Sequence, residues 1–434
     1  MSPQVATEVA SDGLDSEVKR WLEENWDPDL LVEDWWRLVA DAGWCAPHLP
    51  ADQGGRGLPR SSERRVRSLF GAHGALRPPG GLSLLMAAPT ILTHGSPEQI
   101  ARHVPPILDG SRAWCQLFSE PGAGSDLAGL STRAVRDGDR WVITGQKVWS
   151  SMAHESDYGM LLARTDPDVP KHGGISWFAF SLDQPGVTIR PLREMTGEVM
   201  FNEVFLDEAV CDDADLIGGQ GNGWSVTQTT LYFERSGIGA GGSHSGFPKA
   251  GPKGGAWGRR AGDAAADPVP GGNKVISFPD LVSLAKRTGR DRDPQVRQKL
   301  ARLWSYVCTG TWNARRGKAE AAATGGVTNV ASVGKLLQTK IMKLSVEIAL
   351  DVLGADGLLR GDDGVDDGRY VDAFNFAVAS SIYGGTDEIQ RNIAAERTLG
   401  LPKEQRADAG MTFAEAQRAI AANGGIDRSS TNGR

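Results

Sequence analysis

Three short runs of this 434-residue chain combine glycine, hydroxyl and charged side chains in patterns that can hold an anionic or flat heteroaromatic ligand. The first is Phe118-Ser119-Glu120-Pro121-Gly122-Ala123-Gly124-Ser125-Asp126-Leu127-Ala128. A strand ends here in a turn that offers backbone N–H groups and hydroxyls, and its glycines admit a bulky anion to the main chain. A tight turn capped by Asp126 also explains these residues. The second is Gly145-Gln146-Lys147-Val148-Trp149-Ser150-Ser151. On a strand, Trp149 and Ser151 share one face, and an aromatic plane beside a donor suits a flat ring. A core tryptophan with a surface serine is the simpler alternative. The third is Tyr383-Gly384-Gly385-Thr386-Asp387-Glu388-Ile389-Gln390-Arg391-Asn392. Thr386 can cap a helix with acids in its first turn, and N–H groups at such a start can bind an oxyanion or phosphate. An ordinary helix start remains open.

The elements that must position these runs change texture along the chain. Spacing predicts helix from Ser16 to about Ala42, from about Ser61 to Met86, and from Pro97 to Leu108. Trp114 to Ser119, Trp141 to Gly145, Gly159 to Ala163, Ile175 to Leu182, Val187 to Pro191 and Glu203 to Leu206 read as strands parted by Gly, Asp and Pro. Helices return at Trp224 to Ser236, Pro294 to Arg316, Val333 to Leu353, Ala373 to Tyr383 and Thr386 to Leu399. In the Val333 to Leu353 helix, Leu336, Leu337, Ile341, Val346, Ala349, Leu350 and Leu353 form one stripe, with Gly354 as a stop. The expected class is α+β, mainly α. The expected divisions are helices over 1–112, a β domain over 113–222, helices over 223–402 and a weakly structured polar tail over 403–434. A stretch rich in Gly, Ala and Pro, about 237–272, reads as a mobile insertion.

Composition narrows the function. The length exceeds one small core and suits two or three packed domains or one multi-layer unit. With 40% hydrophobic and 23% charged residues, the chain can bury a large core. A formal charge of −7 argues against nucleic acid or an anionic membrane as partner. The short basic clusters Arg60 to Arg67 and Arg287 to Arg292 are broken by acids and apolar residues. Cys45, Cys115, Cys211 and Cys308 form no metal-like spacing with histidines, so free thiols in a reducing compartment and no metal are expected. Neither a secretory signal nor a membrane-length apolar run is evident, and a cytoplasmic location is the expectation.

Together the three runs resemble the signatures of the acyl-CoA dehydrogenase family, and the similarity extends from about Ser16 to Pro402. The resemblance implies an N-terminal helical domain, a middle β-barrel-like domain and a C-terminal four-helix bundle. It further implies FAD between β domain and bundle, an acyl-CoA substrate, and an electron-transfer flavoprotein-type acceptor. Assembly as a homodimer, homotetramer or heterotetramer is implied as well. Carried across by position, Gln116, Phe118 and Ser119 would contact the flavin. Ser125 would reach the pyrophosphate and CoA side, Trp149 would pack on the ring and Ser151 would bond near N5. Thr386 and Glu388 would contact FAD, and Arg235, Gly384 and Gly385 would face the substrate.

The reaction implied needs a base for the α-proton. In much of the family this is a Glu directly after the Tyr of the third run, where this chain has Gly384. The Gly384 N–H could still polarise a thioester carbonyl. Branches similar to isovaleryl- and long-chain-specific enzymes place the Glu before an Arg on the helix that opens the bundle, and Phe233-Glu234-Arg235 stands there. Glu234 is therefore the expected general base, with a surface acid paired to arginine as the alternative. The family's Arg-x-x-Phe/Gln-Gly run is absent, and Asp351-Val352-Leu353-Gly354-Ala355 replaces its Gln-x-x-Gly-Gly stretch. An Asp there would repel a pyrophosphate. These departures are similar to actinobacterial members acting on steroid side chains or other bulky acyl groups, some built from two different subunits. A half-site partner subunit, or an oxidase or hydroxylase on the same fold, are the other readings.

Overall fold

Helices α1 (Pro3–Asn25) and α2 (Val32–Asp41) meet through tryptophan. In α2, Val32, Trp35, Trp36 and Val39 recur at helical spacing and all are buried. The indole N–H groups of Trp35 and Trp36 donate to Leu76 O (2.8 Å) and Arg77 O (3.0 Å), which removes the cost of burying them. Trp26 sits edge-on to Trp35 at 4.7 Å. These distances belong to a computed structural model that describes residues 3–239, 250–267, 275–324 and 330–423.

Two expected helices are each broken. The Ser16 to Ala42 pattern divides after Asn25, ahead of Pro28. The Ser61 to Met86 pattern divides because α3 (Ser62–His73) ends at Gly74 with φ 80°, and Pro78-Pro79 cannot continue a helix. A π-turn, Ser83–Ala87, then leads into α4 (Ala88–His94). Helix α5 (Pro97–Leu108) starts with a Ser96/Gln99 capping box. The Gln99 amide also donates to Ala214 O (2.8 Å) and Leu216 O (3.0 Å), tying α5 to the β domain.

The middle domain is one eight-stranded sheet. Its strands are β1 (Trp114–Leu117), β2 (Arg133–Asp137), β3 (Arg140–Lys147), β4 (Tyr158–Arg164), β5 (Ile175–Ser181), β6 (Val187–Leu192), β7 (Phe201–Asp212) and β8 (Leu216–Ile217). The path runs β6-β7-β3-β2-β4-β5-β8, with β1 parallel on β4. Strand alternation sorts the side chains into two cores. Met160, Leu162 and Trp177 join the helical core, whereas Leu161, Ala163 and Phe178 face Leu117, Ile143, Val204 and Leu206 inside the curled sheet. The β3–β7 register shifts between Ile143 and Gly145, and glycine is needed at 145 because a Cβ there would lie 2.3 Å from Thr132 Oγ1.

Helix α6 (Gly223–Gly239) returns the chain to helical structure. After α7 (Ala261–Ala266) come α8 (Phe278–Arg287), α9 (Pro294–Thr324), α10 (Val330–Leu353), α11 (Arg369–Ala379) and α12 (Asp387–Ile393). Helix α10 is central and touches α6, α8, α9, α11 and α12. Val346, Ala349 and Val352 of α10 pack with Leu284, Leu303 and Ala373. No helix among the described residues is long and apolar enough to cross a membrane.

Two expectations need correction. Within the 237–272 stretch, residues 250–267 dock on the N-terminal domain; 240–249 and 268–274 lie outside the described residues. Trp257 packs 6.3 Å from Trp36, Ala261 is buried, and Val32 N donates to Arg259 O (2.9 Å). Small residues there let backbones meet, which composition read as disorder. The tail is also structured up to residue 423: α13 (Phe413–Asn423) starts with a reciprocal cap between Thr412 and Glu415.

Candidate active site

Helix α6 is pinned to the N-terminal helices by hydroxyls. Thr230 Oγ1 lies 3.0 Å from Thr90 Oγ1, and Thr229 Oγ1 lies 2.8 Å from His94 Nε2. Glu234 falls one helical turn after Thr230 and so shares its face. The side-chain amide of Gln116 on β1 faces the Glu234 carboxylate and favours the charged form. Burial pushes the Glu234 pKa up; the Arg235 charge and the Gln116 amide oppose this without cancelling it. Burial likewise lowers the Arg235 pKa, Glu234 opposes, and the charge of Arg397 adds to the lowering. Arg397 lies in the C-terminal signature region, so α6 stands within electrostatic reach of β1 and of the end of the bundle. The Arg60 guanidinium lies 5.3 Å from the ring of Phe233, the residue before Glu234.

The first two runs are joined by a buried ion pair. Lys147 is fully buried, and its Nζ donates to Glu120 Oε1 (2.8 Å) and Phe118 O (3.1 Å). The Glu120 carboxylate also accepts from Ser131 N (2.6 Å) and Thr132 N (2.9 Å), while Val148 N donates to Ser119 O (2.9 Å). Burial alone would raise the Glu120 pKa; the Lys147 ammonium and these donors hold it below the usual glutamate range. Glu120 and Lys147 stand in plain view in the sequence runs, yet their pairing was not foreseen. A lysine inside an apolar strand that leads out of the sheet was the available signal, because a buried charge needs a partner.

Trp149 and Ser151 do not share a strand face, contrary to expectation. β3 ends at Lys147, and Trp149 has φ 61° in the left-handed region. This turn leaves the Trp149 ring 61% exposed and edge-on to Phe201 at 5.8 Å. Ser150 is buried between hydrogen bonds with Asn202, from Ser150 N to Asn202 O (3.1 Å) and from Asn202 Nδ2 to Ser150 O (2.9 Å). The Ser150 hydroxyl oxygen has no partner among the described residues. A strained backbone, a large exposed aromatic and an unmet buried hydroxyl in consecutive residues fit a flat polar ligand on this turn. Ser125 is exposed, and a Cβ at Gly122 or Gly124 would meet nothing within 4 Å, so that turn presents open backbone.

The third run forms a helix start built into the bundle. Gly384 and Gly385 have φ 63° and 83°, and Thr386 Oγ1 caps α12 by accepting from Ile389 N (3.2 Å). Asp387 Oδ1 takes Lys335 Nζ (3.0 Å) and Thr339 Oγ1 (3.1 Å) from α10. Glu388 is exposed and paired with Arg391 at 3.1 Å. Thr386 is thus occupied as a cap, and Glu388 has an intrachain partner. Asp351, expected to repel a phosphate, is bonded to Lys299, which reduces its field.

Helices flanking a curled β domain, a raised-pKa glutamate on the first bundle helix and an exposed aromatic turn define a flavin-type dehydrogenase architecture. Models of the acyl-CoA dehydrogenase N-terminal, middle and C-terminal domains match residues 3–111, 115–209 and 279–399. The chain belongs to the acyl-CoA dehydrogenase family of oxidoreductases, and membership implies a flavin cofactor. It is 38% identical over 378 residues to acyl-CoA dehydrogenase IpdE1 of Mycobacterium tuberculosis, covering 86% of this chain and 88% of that one. Acyl-CoA dehydrogenase FadE34 of the same organism is 38% identical over 366 residues, 84% of this chain but 46% of its own. Among solved structures, a variant of the Tcur3481-Tcur3483 steroid ACAD superposes with TM-score 0.70 and 26% identity, covering 92% of this chain and all (100%) of that one. The ChsE4-ChsE5 complex of Mycobacterium tuberculosis shares the fold, with TM-score 0.65, 23% identity, and coverage of 93% and 99%.

Proposed function

We propose that this protein carries out FAD-dependent α,β-dehydrogenation of a bulky acyl-CoA thioester, with Glu234 as the base. The observation that carries the proposal is the placement of Glu234: buried enough to raise its pKa, faced by the Gln116 amide, and followed by Arg235. A carboxylate with a raised pKa is matched to taking a proton near neutral pH. Glu234 removes the proton from Cα of the thioester. The Gly384 N–H polarises the thioester carbonyl, which acidifies that proton. Phe118, Ser119, Trp149 and Ser151 would hold the flavin ring, and Ser125 its pyrophosphate and the CoA side. When bound, FAD supplies the acceptor for the hydride leaving Cβ. The name of the steroid ACAD supports a polycyclic or otherwise bulky acyl group.

A heteromeric assembly is the second part of the proposal, with the electrons passing to an electron-transfer flavoprotein-type acceptor. Trp304 and Trp312 of α9, and Phe374 and Val378 of α11, are exposed apolar side chains on the bundle. Such residues suit contact with another subunit. Lack of the usual arginine run supports a partner that differs from this chain.

The test is the visible spectrum of the purified chain before and after anaerobic addition of a panel of acyl-CoA thioesters. Bleaching of a bound yellow flavin supports a self-sufficient dehydrogenase. A colourless chain that takes up no FAD, even when its partner is supplied, overturns the assignment.

A further inference from the structure

Similarity to the family's C-terminal model ends at residue 399, yet Asp408, Phe413 and Ala414 beyond it contact the middle domain. Lys171 Nζ stands between two carboxylates, 2.9 Å from Asp126 Oδ2 and 2.8 Å from Asp408 Oδ2. Asp126 directly follows Ser125, and Asp408 belongs to the C-terminal segment. A second tie runs through Arg164, which is 4% exposed. Its guanidinium donates to Ala128 O (2.7 Å), Leu130 O (3.1 Å) and Lys171 O (3.0 Å). The Phe413 ring covers that guanidinium, with its centroid 3.5 Å from Cζ. Phe413 N and Ala414 N donate to Val169 O and Pro167 O, each at 2.9 Å.

Ala123, Ala128 and Leu130 seat this turn in the core, but its tip is open. Residues 121, 122 and 124–126 are exposed, and Gly122 and Gly124 have open space around them. A glycine-rich exposed turn samples many conformations, and ordering it when ligand arrives weakens binding. A segment that orders it beforehand removes that cost.

We propose that residues 403–423 form a strap that preorganises the 122–130 turn for the CoA and pyrophosphate side, with Lys171 as the positioning residue. Lys171 acts through Asp126, and Arg164 anchors the far end of the same turn. The charge on Lys171 is secure: burial lowers its pKa, but the bonds from Asp408 and Asp126 outweigh burial and raise it. The functional half of the inference rests on the reading of Ser125 as a ligand contact.

The experiment is amide hydrogen exchange of the full-length protein, together with calorimetric affinities for coenzyme A and for FAD. In Lys171→Met, exchange of residues 122–130 quickens and coenzyme A binding weakens, each by about tenfold, equivalent to about 1.4 kcal/mol. Asp408→Asn reproduces the effect in part, and Lys171→Arg restores both readouts. A merely structural lysine would instead quicken exchange throughout the β domain. Unchanged exchange at 122–130 in both Lys171→Met and Asp408→Asn overturns the strap. Quickened exchange with unchanged affinity for coenzyme A and FAD leaves the strap standing and overturns the reading of the Ser125 turn.

Discussion

The side-chain amide of Gln116, on the first strand of the β domain, faces the carboxylate of Glu234, on the first helix of the bundle, and acts on it as a donor. This interaction favours the charged form of a group that burial pushes toward the neutral form.

Gln116→Leu should therefore raise the Glu234 pKa further. The acidic limb of the rate profile for flavin reduction should move to higher pH, with the plateau at high pH reduced less than the rate at pH 6. Stopped-flow bleaching across pH checks this. A limb that stays in place would show that the amide does not tune the base.

Glu234→Gln should slow substrate-dependent bleaching by about 10²–10⁴-fold, the usual contribution of a positioned base, with flavin still bound. Stability should move the other way. The Glu234 pKa is raised in the folded protein, so its protonated form stabilises the fold below the ordinary glutamate value of 4.5 and that contribution is lost as pH rises through the folded value. The neutral amide escapes this loss. Thermal unfolding of the variant should be at or above wild type at pH 8, and the advantage should shrink toward pH 4.5. A variant that is less stable at pH 8 would place Glu234 in a structural ion pair instead.

Lys147→Met leaves Glu120 buried without its cation, and breaking such a pair costs about 3–5 kcal/mol. Urea unfolding should show the loss, and adding Glu120→Gln should recover most of it. Because the Glu120 pKa is depressed in the folded state, wild-type stability from this group is present above the ordinary glutamate value and is lost as pH falls through the folded one. The difference between wild type and the double variant should therefore narrow in acid.

Trp149→Gly separates strain from function. The left-handed φ of 61° costs about 1–3 kcal/mol for a side chain of this kind, against about 0.5–1 kcal/mol for the extra freedom of glycine. The flavin-free variant should be no less stable than wild type, while its affinity for FAD falls by about tenfold or more, some 1.4 kcal/mol. A clear loss of stability without loss of FAD affinity would make Trp149 a core residue.

Local spacing made much of the architecture legible. The α10 stripe repeats at the helical period, and the apolar runs of β4 and β5 are bounded by Gly, Asp and Pro, so the chain declares them without tertiary help. The signature runs and Phe233-Glu234-Arg235 were equally visible, since their residue types and order carry the resemblance. The docked part of the insertion was missed because one Trp257 among glycines and alanines forms no period; its partner, Trp36, is distant in sequence. The Thr412-Phe413-Ala414-Glu415 cap was readable and would have located α13.

By itself, then, the sequence determined the class, the order of layers and the candidate for the base, because composition, period and motif are local properties. Only the tertiary structure decided what meets what. It paired Gln116 with Glu234, turned Trp149 out of its strand, joined Glu120 to Lys147 and drew Asp408 to Lys171. Each depends on a distance closed by folding between segments far apart in the chain, and burial at that contact, which no residue type reports alone, sets the pKa values on which the chemistry turns.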